Sequence, residues 1–129
     1  MHTETDERYR IDINAVSTFL PEQSNPQAGS YVFAYTITIS NTGSIPAKLL
    51  NRRWIVTDAN GKTQEVRGAG VVGEQPHLAP GESFKYTSGT QIETPIGSMH
   101  GSYGMLADDG TQFDAEILPF SLGDRARFH

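Results

Sequence analysis

The chain has 129 residues, 36% of them apolar and 19% charged, with a formal net charge of −5 and a pI near 5.2. That length suits one domain able to bury about two thirds of its unfolded surface, and the acidic balance argues against a nucleic-acid scaffold, which carries a basic face. Seven of the ten cations are Arg, and the close pairs Arg8/Arg10, Arg52/Arg53 and Arg125/Arg127 leave a local positive patch open. Cysteine is absent, which predicts a reducing, cytoplasmic setting. Residues Met1 to Glu7 are polar and acidic, unlike a secretory signal. No run approaches the ~18 apolar residues that span a bilayer.

Residues 1–8 read as a disordered N-terminal tail, 9–122 as a single β-sandwich domain and 123–129 as a C-terminal tail. From Tyr9 the alternation Tyr9, Ile11, Ile13, Ala15 has period two and marks a first strand. Pro21 to Gly29 holds two prolines and a glycine without apolar periodicity, and reads as a loop. The clearest strand follows, with Tyr31, Phe33, Tyr35, Ile37 and Ile39 on one face. Thr and small residues lie on the other, half-buried face. Asn41 to Ser44 turns the chain. Ile45 to Leu50 continues extended, and Arg52 to Thr57 forms a strand around the only Trp.

Asn60-Gly61 predicts a hairpin onto Lys62–Arg67, and Asp109-Gly110 a second between Ser98–Leu106 and Thr111–Ile117. Glu82 to Ser88 is a strand after the Pro80-Gly81 turn. Seven to nine short strands at this spacing predict an all-β antiparallel sandwich of the immunoglobulin type. The aromatics Tyr31, Phe33, Tyr35, Trp54, Phe84, Tyr86, Tyr103 and Phe113 mostly share strand parity, which assigns them to the core.

Between the strands lies Gly68-Ala-Gly-Val-Val-Gly73, which spells Gly-x-Gly-x-x-Gly. In a dinucleotide-binding turn that motif opens a helix whose N-terminus takes the pyrophosphate. Here Pro76, then Pro80 and Gly81, leave no room for a helix. Two readings stay open. A nest of backbone N–H groups beside Arg67 would hold a phosphate or carboxylate. Alternatively, the glycines permit a tight crossing between strands, with Val71 and Val72 anchoring it to the core.

The remaining chemistry-bearing residues are sparse. His2, His77, His100 and His129 have no second ligand at metal spacing, although His77 and His100 could converge over long range. Asp108-Asp109 sits in a turn, where Asp side chains bond the backbone. Ser88 before Gly89 lacks the strand–turn–helix elbow of a hydrolase serine. No catalytic, metal or cofactor site is expected.

The run Val66 to Pro76, then Leu78-Ala-Pro-Gly-Glu82 and Phe84-Lys-Tyr-Thr-Ser-Gly89, resembles the bacterial ApaG family. So do Tyr31 to Tyr35, Arg53-Trp54, Thr57 to Gly61 and Gly101-Ser-Tyr103, which extends the likeness from Tyr31 to Phe120. The tail Gly123 to His129 departs from the family pattern, in which a proline and a closing Leu-His are frequent. The resemblance implies a fibronectin-type-III-like sandwich and a link to cobalt and magnesium efflux. It also implies kinship with domains fused into eukaryotic F-box and DNA-polymerase-interacting proteins.

The functional expectation is a non-catalytic module that holds a partner, most plainly another protein, through Arg67, Gly68, Gly70, Gly73, Glu74 and Gln75. Opposite charges at Arg67 and Glu74 would flank the loop. The alternative is an anionic nucleotide or pyrophosphate held by the same residues, and weak divalent-cation binding is a third reading. No nucleic-acid partner is expected.

Overall fold

The computed structural model describes residues 6–123. Eight strands follow one another: β1 (Ile11–Phe19), β2 (Tyr31–Asn41), β3 (Ala47–Asp58), β4 (Thr63–Ala69), β5 (His77–Leu78), β6 (Ser83–Ile92), β7 (Ile96–Ala107) and β8 (Gln112–Gly123). The only helical turns among the described residues are single 3-10 turns at Glu7–Tyr9, Pro21–Gln23 and Pro26–Ala28. The period-two pattern decides which face each strand buries. In β2 the odd positions from Tyr31 to Ile39 are buried and the even ones half-exposed, as the alternation predicts.

One sheet has the order β1-β2-β6; the other has β4-β3-β7-β8, with β5 also on β3. All pairings are antiparallel. The expected all-β antiparallel sandwich is what forms. Between the sheets Trp54 stands edge-on to Tyr35, Tyr103 and Phe120, with ring centroids 5.3, 6.3 and 5.9 Å away. Such tilted contacts add to the large area these rings bury. Of the aromatics assigned to the core, Phe84 and Phe113 are half-buried and pack against it; the rest are buried.

The two predicted hairpins form with three-residue turns. Gly61 and Gly110 alone take positive φ (83° and 91°), because a type I turn precedes each of them. Asn60 therefore needs no left-handed backbone. Asp58 Oδ1 instead accepts from the Asn60 and Lys62 N–H groups.

The domain edges differ from the expected ones. Asp6 caps the Glu7–Tyr9 turn and pairs with Arg8, and the Arg8 carbonyl accepts from Ser44 and Ile45. Residues 6–8 thus belong to the fold rather than to a tail, and Gly123 closes β8 opposite Ile96. Residues 1–5 and 124–129, with the Arg125/Arg127 pair, lie outside the described residues. Asn41 also exceeds its expected role as a turn residue. It is 1% exposed, its amide donates to the Ile45 and Leu78 carbonyls, and its Oδ1 accepts from Gly43.

The sandwich is closed on one flank and open on the other. On the closed flank β1 meets β8, and Ser17 Oγ donates to the Ser121 carbonyl at 2.6 Å. On the open flank the edges of β4 and β6 face each other across a groove of about 440 Å³, whose apolar lining is Val56, Val66 and Ile92. An ion pair between Lys62 Nζ and Glu93 Oε1 (3.1 Å) joins two residues of its rim.

Within the core the Tyr86 and Tyr103 hydroxyls bond each other. Burial pushes the Tyr86 phenol up to about 12, and it pushes Tyr103, which also faces Tyr86, further up. Both groups are raised in the fold, so their contribution is complete below the ordinary tyrosine value and is lost as pH rises above it. We predict alkaline unfolding that begins as pH passes about 10. In a titration read at 295 nm, these two phenols should ionise only with unfolding. Tyr103→Phe should remove part of that step, and ionisation of all tyrosines in the folded protein would refute it.

Candidate functional site

The glycine motif begins where β4 ends. β3 pairs with β4 from Asn51 to Thr57 and with β5 at Ala47 and Lys48, and its register against β7 slips between Leu49 and Asn51. At that slip the loop leaves and returns. Gly70 N–H donates to the Leu50 carbonyl (2.9 Å), Gln75 Nε2 donates to the same oxygen (2.9 Å), and Leu49 N–H donates to the Pro76 carbonyl (2.9 Å). Between these anchors Val71 and Glu74 exchange both backbone bonds, at 2.8 and 2.9 Å. The two residues at the tip, Val72 and Gly73, have φ of 43° and 81°. Two positive φ values in a two-residue connection make a primed turn.

Each glycine has a distinct reason. At Gly70, φ is 60° and a Cβ would stand 2.2 Å from the Glu74 carbonyl oxygen. At Gly68 the space for a Cβ holds the Arg52 guanidinium, whose Nη1 donates to the Ala69 and Gly70 carbonyls at 3.0 Å each. Arg52 therefore clamps the hairpin base. Sequence reading missed it, although strand parity places Arg52 on the same face as Trp54 and Val56.

Val71 is 0% exposed and plugs the loop into the core, as expected. Val72 does not: it is 53% exposed at the tip. The turn forces neighbouring side chains to opposite sides, so only one of the two valines reaches the interior.

Five of the expected site residues, Gly68, Gly70, Gly73, Glu74 and Gln75, come together in this hairpin and its base. Arg67 points to the other face of β4, because Val66 next to it takes the core side opposite Trp54. Its Nε donates to Glu65 Oε2 at 2.7 Å, and Arg53 Nε shares that oxygen at 2.7 Å. The two guanidiniums hold the Glu65 carboxyl below its usual range, Arg53 first. The expected flanking of the loop by Arg67 and Glu74 is therefore not an ion pair. Nor, among the described residues, do the arginine pairs build a wider positive patch: Arg8 meets Asp6, Arg10 meets Asp12, Arg53 meets Glu65, and Arg52 is held by the Ala69 and Gly70 carbonyls.

The other candidates separate. His77 Nε2 lies 2.8 Å from Asp108 Oδ1, both well exposed. His77 pairs at Lys48 and His100 at Ile55, seven positions apart on β3, or about 23 Å, so they do not converge. Asp109 accepts from Tyr9 Oη and the Thr111 N–H, as a turn carboxylate does. Among the described residues no three His, Cys, Asp or Glu are grouped to hold a metal ion.

The likeness seen in the sequence is carried by matched comparisons. The family model described as ApaG domain matches residues 21–107, from the loop before β2 through β7. The chain belongs to the ApaG family. It is 58% identical over 116 residues to Protein ApaG of Aromatoleum aromaticum, covering 90% of this chain and 91% of that one. It is 58% identical over 121 residues to Protein ApaG of Methylococcus capsulatus, covering 94% and 96%. A crystal structure of a Bordetella pertussis protein labelled ApaA superimposes with a TM-score of 0.88 at 49% identity, over 91% of this chain and 95% of that one.

The hairpin geometry ranks its glycines. Gly70→Ala meets both a left-handed backbone and a blocking carbonyl, whereas Gly73→Ala meets open space at φ 81°. Gly73→Ala should destabilise by about 1 kcal/mol, and Gly70→Ala by clearly more. Chemical denaturation of the two variants checks the order, and equal midpoints would refute it.

Proposed function

We propose that this ApaG-family chain is a non-catalytic binding module whose glycine hairpin holds a partner protein. The observation that carries the reading is Val72. A β-branched residue with positive φ is a genuine backbone outlier, and the first tip position of a primed turn favours Asn, Asp or Gly. Strain of about 1–3 kcal/mol persists at such a position only when its surroundings over-determine it. Here Val71, Arg52 and Gln75 do so. The result is a half-exposed isopropyl group on a rigid loop, the kind of apolar anchor that recognition surfaces use. Glu74 beside it and Arg67 across β4 supply charges that orient a partner.

An anionic nucleotide or pyrophosphate needs several converging N–H groups. Those of Val71 and Glu74 are already bonded within the hairpin and that of Gly70 to the Leu50 carbonyl of β3, which favours the protein partner. On this reading the chain works in the cytoplasm, and any link to cobalt and magnesium efflux runs through the partner.

Replacing Val72 with Asn relieves the turn and removes the anchor. Val72→Asn should raise Tm by about 3–5 °C, from roughly 1 kcal/mol of relieved strain, while partner capture from a lysate falls. The doubly reversed Arg67→Glu, Glu74→Lys protein should stay folded and lose the same partners. If both variants retain every partner, the hairpin is not the site. Nucleotide turnover by purified protein, abolished by His77→Ala or Asp108→Ala, would overturn the non-catalytic assignment.

A further inference from the structure

The free edges of the two sheets are not equally protected. Edge strands are normally blunted by proline, charge, bulges or a covering element. β8 carries Pro119 and a register slip against β7, and β1 lies against it. β4 is seven residues long, bears Glu65 and Arg67, and ends in the clamped hairpin. β6 is ten residues long and pairs with β2 in unbroken register from Ser83 to Ile92. It holds no proline and a single charge, Lys85.

The direction of its backbone groups follows from bonds at the sheet ends. Leu20 N–H donates to the Val32 carbonyl, and Asn41 N–H to the Glu82 carbonyl. Antiparallel pairs alternate between bonded and non-bonded. Even positions of β2 therefore serve β1, and odd ones serve the even positions of β6. Ser83, Lys85, Thr87, Gly89 and Gln91 consequently direct their N–H and C=O groups away from β2, towards the open flank.

We propose that this edge pairs with the same edge of a second copy, antiparallel and centred on Thr87. In that register Thr87 faces Thr87, Lys85 faces Gly89, and Ser83 faces Gln91. All five outward N–H and five outward C=O groups then find partners, and a shift in either direction strands some of them. The one charge on the edge meets a residue without a side chain, so no like charges are opposed. Two three-stranded sheets become one of six strands. A single-edge contact is smaller than the ~800 Å² per partner of a standard interface, so the dimer is weak and concentration-dependent. The net charge of −5 per copy opposes it, and salt strengthens it by screening. This assignment stands apart from the hairpin's partner.

Two measurements test it. Sedimentation equilibrium of the whole chain from about 10 µM to about 1 mM, the range of a weak association, should show a monomer–dimer equilibrium. Over the same range, amide exchange at Lys85, Thr87, Gly89 and Gln91 should slow with concentration, while Tyr86, Ser88 and Thr90 stay protected throughout. Thr87→Glu and Thr87→Lys each place like charges opposite each other and should raise the dissociation constant about fivefold or more. An equimolar mixture of the two should restore pairing, because only this register sets position 87 against itself. A wild-type chain that stays monomeric to the top of the range overturns the proposal and leaves the edge to another partner. A dimer that both variants leave intact overturns it as well.

Discussion

The candidate site depends on one irregular step in β3. A strand edge must bond every buried N–H and C=O group, and β3 has two short partners on one side, β4 and β5, with Leu50 between them. The Leu50 carbonyl is satisfied twice, by Gly70 N–H and by Gln75 Nε2, and Leu49 N–H finds the Pro76 carbonyl. The loop must therefore leave and return at adjacent residues of one strand. Only a tight hairpin fits between anchors so close, and the positive φ values at Gly70, Val72 and Gly73 follow from that geometry. The Gly-x-Gly-x-x-Gly spacing thus records a chain reversal on a strand edge.

Much of this was legible in the sequence for specific reasons. Period-two alternation located β2 and assigned its buried face. Pro76 followed by Pro80 and Gly81 left no room for the helix that a dinucleotide turn requires, and the chain indeed passes from Pro76 into β5. Strand ends were less legible because continuation past a turn signal depends on pairing: β7 starts at Ile96 and β8 runs to Gly123, each supported by the other. Asn41 looked like a turn residue because its long-range acceptor, the Leu78 carbonyl, cannot be seen locally. Arg52 was hidden by its type, since an inward-facing arginine is read as surface until its acceptors are known. Val72 was misassigned because two adjacent valines look equivalent until the turn separates them.

Charge contributes less to the architecture than its frequency suggests. The ion pairs of Arg8, Arg10, Lys62 and Arg67 join well-exposed side chains, and such pairs are worth about 0–1 kcal/mol each. Stability comes instead from the aromatic layer around Trp54 and from buried groups such as Asn41 that tie chain crossings to it. Surface charge can then serve recognition without weakening the fold.

The placement of the hairpin on the open flank follows from the same logic. On the closed flank β1 and β8 cover each other, and Pro119 marks an edge where pairing is interrupted. On the open flank β4 must turn back at Leu50 to let β5 in, so its hairpin leaves the end of β4 opposite to the one that lines the groove between β4 and β6. A strained tip and a regular edge therefore share one side of the sandwich. The tip offers a shaped apolar contact; the edge offers backbone bonds that are indifferent to sequence. On the proposed reading selectivity resides in the hairpin, where a single side chain at φ 43° is held in place by a clamp that reaches the core.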